Sequence, residues 1–286
     1  MNQLDAAQIK QGQQRDWNSV AGGWERWWPA LEAGAAHVSQ RLLDAAAVRS
    51  GGRVLDVATG IGEPALSAAR RVGDTGHVLA IDQAADMLAI ARRRAATAGV
   101  TNVEFLHSDG EGLPPGLPPF DAIVCRWGLM FFPDPGQALR SLHPLLLPGG
   151  RIAATVWSTA DRVPSISLPL QIVSAVLDLP PPPPGRPNPF SLADHGLLHT
   201  LFADAGFTDI IIDTLPVTFT MPSAADYTRF TLDISAPLVA LLAGYDETRR
   251  QQAIAAITAR IAGLAAADGA IRLQSEAILI SAMRPI

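Results

Sequence analysis

The sequence has little of several features that mark particular protein classes. Cys125 is the only cysteine, which excludes an intramolecular disulfide and a cysteine-rich zinc site. Lys10 is the only lysine, and the longest basic run is the three arginines at 92–94, in a chain of net charge −5. Because nucleic-acid binding needs a concentrated basic patch, we expect no nucleic-acid partner.

Long apolar runs are also missing. No stretch of about eighteen apolar residues is present, so no membrane span is expected. The first ten residues lack the apolar centre of a signal peptide, which predicts a cytoplasmic protein. The apolar fraction of 48% is nevertheless ample for a core. The 286 residues would allow roughly two domains, but a single cofactor-binding pattern favours one sheet with an elaborated cap.

That pattern starts with V-L-D-V-A-T-G-I-G at residues 54–62. The apolar residues suit a buried parallel strand, and the glycines allow a tight turn close to a ligand. Pro64 fits the first turn of a following helix. The next strand ends at Asp82, where a carboxylate can accept both hydroxyls of a ribose. The sequence therefore predicts a site for a nucleoside-containing cofactor.

The glycine spacing alone also fits a dinucleotide fingerprint. Asp56 lies inside the first strand, and a buried carboxylate needs a donor or a cation nearby. A sulfonium cofactor with an amino-acid tail supplies positive charge, whereas a pyrophosphate would be repelled. Asp109, after a third strand, could accept a hydrogen bond from an adenine amino group.

A fourth strand, predicted at 120–125, is followed by Arg126-Trp127-Gly128 and later by L-L-L-P-G-G-R at 145–151. With this ordered series, the chain resembles the class I S-adenosylmethionine-dependent methyltransferases over about residues 15 to 157. It looks most like the branch of the ubiquinone and menaquinone C-methyltransferases and related small-molecule methyltransferases. The resemblance implies an α/β fold with a Rossmann-like, doubly wound, mostly parallel seven-stranded sheet, an antiparallel last hairpin and a helical cap.

The resemblance also implies S-adenosyl-L-methionine as the cofactor. The methionine end would lie near the first strand and the glycine loop, the ribose at Asp82, and the adenine beside Gln83, Met87 and Asp109, with the backbone of Arg126 bordering the cofactor. The implied cofactor-binding residues are Asp56, Ala58, Thr59, Gly60, Gly62, Asp82, Gln83, Met87, Ser108, Asp109, Gly110 and Arg126. For Met87 the alternative is plain helix core, and for Asp56 it is a structural role beneath the glycine loop.

Aromatic residues suggest the substrate side. Trp17 and Trp24 lie in a segment that resembles the N-terminal motif of this branch, where it folds over the cofactor; simple packing of a helix is the alternative. Trp127, Met130 and Phe131 follow the fourth strand. The quinone branch has Arg and Asn where this chain has Met130-Phe131, which predicts a hydrophobic acceptor, such as a polyketide, terpenoid or aromatic natural product, in place of a quinone.

The predicted organisation has four parts. Residues 1–50 form an N-terminal helical lid segment with a helix at 31–48, and 51–157 form the cofactor-binding core. Residues 158–190 form a cap insertion, with a proline run at 180–184 that is either a surface loop or a lid. Residues 191–286 complete the sheet and carry a helical insertion at 222–268.

The predicted reaction is an in-line displacement that depends on positioning and water exclusion. Among the histidines, His195 ranks first as a general base, with helix capping or simple surface exposure as its alternative. No metal site is expected. The leading function is methyl transfer to oxygen or carbon of a hydrophobic small molecule, in a monomer or a homodimer. The alternatives are a cofactor-bound cyclase or rearrangement catalyst without methyl transfer, and a noncatalytic partner subunit.

Overall fold

The computed structural model describes residues 3–110, 113–114, 116–180 and 186–286. Its centre is a seven-stranded sheet with the order β3-β2-β1-β4-β5-β7-β6. The strands are β1 Arg53–Val57, β2 His77–Asp82, β3 Val103–His107, β4 Phe120–Arg126, β5 Leu146–Trp157, β6 Thr208–Met221 and β7 Ile271–Met283. The helices are α1 Gln3–Ala45, α2 Ala65–Val72, α3 Ala85–Thr97, α4 Pro135–Leu142, α5 Pro164–Val176, α6 His195–Asp204, α7 Ala224–Ile234, α8 Ala236–Ala243 and α9 Glu247–Ala262.

Strands β1 to β5 run parallel, and β7 pairs antiparallel with both β5 and β6. This confirms the predicted Rossmann-like sheet with its antiparallel end. The registers Val57↔Ile81 and Asp82↔His107 bring the carboxyl ends of three strands to one edge. The chain order reverses between β1 and β4, and such a switch point is where open α/β sheets bind their ligands.

The first helix is longer than the sequence predicted. Instead of spanning 31–48, it runs without interruption from Gln3 to Ala45, with Pro29 inside. Gly22, Gly23 and Pro29 resemble helix breakers, which is why the prediction started late. Gly23 has a packing role instead, because a Cβ there would collide with the carbonyl oxygen of Asp233.

Residues between β6 and β7 form the three helices α7, α8 and α9. Strand β5 ends at Trp157, which pairs with Ala277, whereas β6 and β7 remain paired as far as Met221↔Ile271. The β6–β7 ribbon therefore extends past the edge where β1 to β5 end and carries these helices with it. The predicted proline run lies, apart from Pro180, outside the described residues. Across the described ranges, every helix is too short or too polar to cross a bilayer.

Candidate functional site

A cavity opens at the carboxyl edge of the sheet, at the switch point between β1 and β4. It encloses about 950 Å³, part of it open to solvent, a size typical of ligand pockets. Its wall combines the loops after β1, β2, β3 and β4 with the first half of α1. Predicted residues that the structure brings together on this wall are Trp17, Trp24, Ala58, Thr59, Gly60, Asp82, Gln83, Met87, Ser108, Asp109, Gly110, Arg126, Trp127 and Phe131.

The loop after β1 turns sharply at the cavity. Ala58 has φ +59° and Gly60 has φ +56°, a backbone conformation that a residue with a side chain adopts only at some cost. The N–H of Thr59 donates to the carbonyl of Ile81 at 2.9 Å, which anchors the loop on β2. A Cβ on Gly60 would meet no atom within 4 Å, so the bare backbone faces open space. A ligand can therefore approach the main chain here.

Asp82 ends β2 next to this loop. Its Oδ2 accepts the N–H of Gly60 at 2.7 Å, and its Oδ1 accepts the N–H of Ala84 at 2.8 Å. Burial raises the pKa of Asp82, and these two amides act in the opposite direction. Because each carboxylate oxygen has a second lone pair, both can still accept a ligand hydroxyl.

Asp109 lies past the end of β3. Its Oδ2 is 2.9 Å from the Nζ of Lys10, which reaches it from α1. The N–H of Ser108 donates to the carbonyl of Asp82 at 3.0 Å, which fixes the two acidic strand ends relative to each other. Met87, from α3, is 3% exposed and lies on the cavity wall as well as in the core.

Several aromatic rings lie on the cavity wall. The ring of Trp17 packs edge-on against Phe131 at 5.2 Å and against Trp24 at 6.2 Å. Trp127, at φ +57°, stacks on Trp157 with 4.5 Å between the ring centroids and 13° between the planes. The cavity wall therefore contains both carboxylates and aromatic rings.

Hydrogen bonds tie helix α1 to the segment after β4 and to the segment that leads from β2 into α3. The Gln13 side chain donates to the carbonyl of Phe131 at 2.8 Å, and that of Gln14 donates to the carbonyl of Gln83 at 2.9 Å. Asn18 accepts the N–H of Asp86 at 3.0 Å, at the start of α3. Helix α3 has no side-chain cap of its own, so α1 supplies one.

Asp56, also a predicted cofactor residue, lies behind the wall and is 0% exposed. Burial raises its pKa to about 8, with Thr59 and Arg126 opposing the shift. Neither of its oxygens makes a hydrogen bond of adequate geometry with a described residue, and the same holds for the Thr59 hydroxyl. Because this pKa of about 8 lies above neutrality, the protonated form of Asp56 is favoured at neutral pH.

Three further predicted residues are not on the cavity wall. His195 is an exposed residue at the start of α6, after the N-cap Asp194, so its prediction as a general base is corrected to the capping-region alternative. Met130 is 2% exposed and belongs to the core. Gly62 packs against Leu66 and Ala91, where a Cβ would come within 3.4 Å of both.

Sequence reasoning missed some of the wall. Lys10, Gln13, Glu63 and Phe132 all line the cavity. Lys10 and Gln13 come from the part of α1 that was not predicted as a helix. Glu63 could have been predicted as a wall residue, because it directly follows the glycine loop. In the described ranges, no group of three or more His, Cys, Asp or Glu side chains is arranged to hold a metal ion.

Comparison with known proteins gives relatives for the first half of the chain. Residues 36–177 match the model of the ubiE/COQ5 methyltransferase family. The ubiquinone/menaquinone biosynthesis C-methyltransferase UbiE of Pseudomonas entomophila (strain L48) is 36% identical over 143 residues, which is 49% of this chain and 56% of that protein. The chain thus spans little more than half the length of the curated relatives it matches.

Solved structures cover more of the chain at lower identity. A provisionally assigned methyltransferase of Bacillus halodurans C-125 superposes with a TM-score of 0.56 at 22% identity, covering 87% of this chain and 99% of that one. The [4+2]-cyclase SpnF superposes with a TM-score of 0.52 at 23% identity, covering 87% of this chain and 80% of that one. At these identities the likeness shows the fold alone.

The residues present fit the cofactor of this family. Asp82 offers acceptors for a ribose, and Gly60 leaves room along the backbone for a ligand. The sheet order and the cavity position agree with the match of residues 36–177 to the ubiE/COQ5 methyltransferase family, and over this part the chain is similar to C-methyltransferases of that family.

Proposed function

We propose that this protein transfers a methyl group from S-adenosylmethionine to an oxygen or carbon atom of a hydrophobic small molecule. The observation that carries the proposal is that aromatic rings, those of Trp17, Trp24, Trp127 and Phe131, line the same cavity as the carboxylates of Asp82 and Asp109. The carboxylates suit a nucleoside, and the rings suit an apolar acceptor. A natural product of polyketide, terpenoid or aromatic type has this character.

The cofactor supplies an electrophilic methyl group when it is bound. The chain's own residues then have to orient the two reactants and exclude water. We propose that Asp82 holds the ribose, that Asp109 and Gly110 meet the adenine edge, and that Ala58, Thr59 and Gly60 lie along the amino-acid end. Trp127, whose ring is held by its stack on Trp157, would fix the acceptor.

The acceptor is proposed to be a phenol or an enolisable carbonyl compound. No histidine is among the described residues that line the cavity, and His195 is exposed elsewhere. An acceptor that ionises readily needs less help from a general base than an aliphatic alcohol does. These two classes of acceptor allow both methylation at oxygen and methylation at carbon, because phenolates react at oxygen and enolates at carbon or oxygen.

We further propose that the first half of α1 acts as a lid and that α7 to α9 form the cap over the acceptor. Support comes from the hydrogen bonds that join Gln13 to the segment after β4, and Gln14 and Asn18 to the segment between β2 and α3. Trp24 donates its ring N–H to the carbonyl of Ile234 at the end of α7, at 3.0 Å, which connects lid and cap.

The test is an acceptor screen with two readouts. Purified protein is incubated with S-adenosylmethionine and a panel of phenols and β-dicarbonyl compounds, and mass spectrometry follows S-adenosylhomocysteine and each acceptor. Methyl transfer predicts equal amounts of S-adenosylhomocysteine and of an acceptor 14 mass units heavier. Asp82→Ala is the matched control, because at a cofactor concentration that does not saturate it the variant should form less of both products in equal proportion.

The same experiment separates the alternatives. A cyclase or rearrangement catalyst would convert an acceptor to an isomer of unchanged mass without forming S-adenosylhomocysteine, and this result would overturn methyl transfer. Cofactor binding with no change in any acceptor, even when a natural partner protein is added, would also contradict the proposal.

A further inference from the structure

Four charged side chains gather beside the loop that follows β1. Burial raises the pKa of Glu32, the charge of Glu63 adds to this, and Arg126 and Arg94 oppose it. Burial lowers the pKa of Arg94 and of Arg126, and on both of them Glu63 is the strongest opposing charge. Glu63 is therefore the acid at the centre of this group.

Glu63 has few close partners for a buried carboxylate. It is 5% exposed, and its Oε2 accepts the N–H of Ser67 at 3.2 Å. Among the described residues, its ion pair within 4 Å is with Arg70, at 3.9 Å from Oε1, and the Arg70 side chain is 54% exposed. A buried carboxylate is costly unless donors or cations lie close to it. Since Glu63 lines the cavity, a bound ligand can supply them.

A second observation points to a ligand at the same place. Thr59 lines the cavity at 2% exposure, and its Oγ1 has no hydrogen-bond partner among the described residues. The Glu63 carboxylate is an acceptor and the Thr59 hydroxyl can accept, so the ligand group that suits both is a cation with several donors. A primary ammonium has three donors and no acceptor.

Building on the proposed function, we propose that Glu63 binds the α-ammonium group at the amino-acid end of the cofactor. The Oε1 atom is the acceptor, because Oε2 is engaged by Ser67. Thr59 would accept a second hydrogen bond from the same ammonium. Glu63 is thus assigned to the recognition of the amino acid, whereas Asp82 serves the nucleoside.

The test compares two ligands that differ at this end. S-adenosylhomocysteine carries the ammonium group, and 5′-methylthioadenosine has the same adenosine thioether without the amino acid. Their dissociation constants are measured by calorimetry for the wild type, Glu63→Gln and Glu63→Asp. Glu104→Gln is the control, because Glu104 is an exposed carboxylate on β3.

We expect Glu63→Gln to weaken S-adenosylhomocysteine binding by about 10- to 100-fold, the effect of losing a hydrogen bond to a charged group. Binding of 5′-methylthioadenosine should change by less than about twofold, and Glu63→Asp should recover part of the loss. A purely structural role would weaken both ligands alike and would overturn the assignment, as would unchanged S-adenosylhomocysteine binding.

The outcomes also distinguish this assignment from the proposed function. If the wild type binds S-adenosylhomocysteine and Glu63→Gln binds it equally well, only the ammonium site is wrong. If no compound in the panel yields S-adenosylhomocysteine, the proposed methyl transfer to that panel fails. The binding comparison still decides the role of Glu63. If the wild type binds neither ligand, both ideas fail.

Discussion

The N–H of Gly60 donates a hydrogen bond to Oδ2 of Asp82 at 2.7 Å, so the glycine loop after β1 is fastened to the end of β2. One carboxylate therefore has two tasks. It holds the backbone that the cofactor approaches, and it offers its remaining lone pairs to the cofactor itself. A change at Asp82 should affect both.

Replacing Asp82 by alanine removes the acceptor of the Gly60 and Ala84 amides together with the proposed ribose contact. We expect the cofactor to bind more weakly by about 1–3 kcal/mol, measured by titration calorimetry. The control is Asp121→Ala. Asp121 also accepts a strand-end amide, that of Arg53 at 2.8 Å, but at the opposite end of β1. Equal affinity in wild type and Asp82→Ala would contradict the ribose assignment.

A methyl group at position 128 should disturb the loops on both sides of the cavity. A Cβ on Gly128 would lie 2.5 Å from the Cβ of Ala58 and 2.9 Å from the Sγ of Cys125. Ala58 cannot rotate away because its Cβ is fixed to the backbone. We expect Gly128→Ala to lower the free energy of unfolding by about 1–3 kcal/mol in urea and to weaken cofactor binding as well.

The comparison for this variant is Gly22→Ala in α1. A Cβ at Gly22 would meet no atom within 4 Å, so alanine should be neutral or should raise stability by up to about 1 kcal/mol. If Gly128→Ala were as stable as Gly22→Ala, the close contact between the two loops would be wrong.

Much of the sheet could be predicted from the sequence, because buried parallel strands read as apolar runs with turn residues between them. The second strand ends at Asp82 as predicted, and the fourth, predicted at 120–125, extends one residue further to Arg126. The glycine loop, Asp82 and Asp109 were found because backbone freedom and acidic strand ends leave a local signal.

Other features depend on distant contacts and leave no such signal. Gly23 permits close packing against Asp233, 210 positions later in the chain, and its low helix propensity gives no hint of this contact. Lys10 reaches Asp109 only because α1 continues past Pro29 in the N-terminal direction. The position of His195 after Asp194 did not reveal which way α6 faces. The sequence therefore could not show that His195 lies away from the cavity wall.

Asp56 should make the stability of the cofactor-free chain depend on pH. Burial raises its pKa to about 8 from an ordinary value of 3.8. Between these values the folded chain keeps a proton that the unfolded chain has released, so the free energy of unfolding falls as pH rises from about 4 to about 8. Asp56→Asn removes this contribution.

Urea unfolding of Asp56→Asn, followed from pH 5 to pH 9, should therefore give a flatter profile than the wild type. The variant should gain relative stability up to about pH 8 and no more above it. Asp178→Asn, at an exposed position, should follow the wild type. Parallel profiles for wild type and Asp56→Asn would show that Asp56 is not the group responsible.

The ion pair between Lys10 and Asp109 should slow the departure of the cofactor if α1 is a lid. Both side chains are partly exposed, at 22% and 36%, so the pair is screened by solvent and salt. We expect Lys10→Met to lose less than about 1 kcal/mol, which corresponds to at most about fivefold faster dissociation of S-adenosylhomocysteine in stopped-flow measurements. High salt should produce a similar acceleration in the wild type and little in the variant.

Arg15→Met removes the same charge from an exposed position of α1, and the cofactor product should dissociate from it at the wild-type rate. Identical rates and salt dependence in all three proteins would separate the ion pair from lid closure.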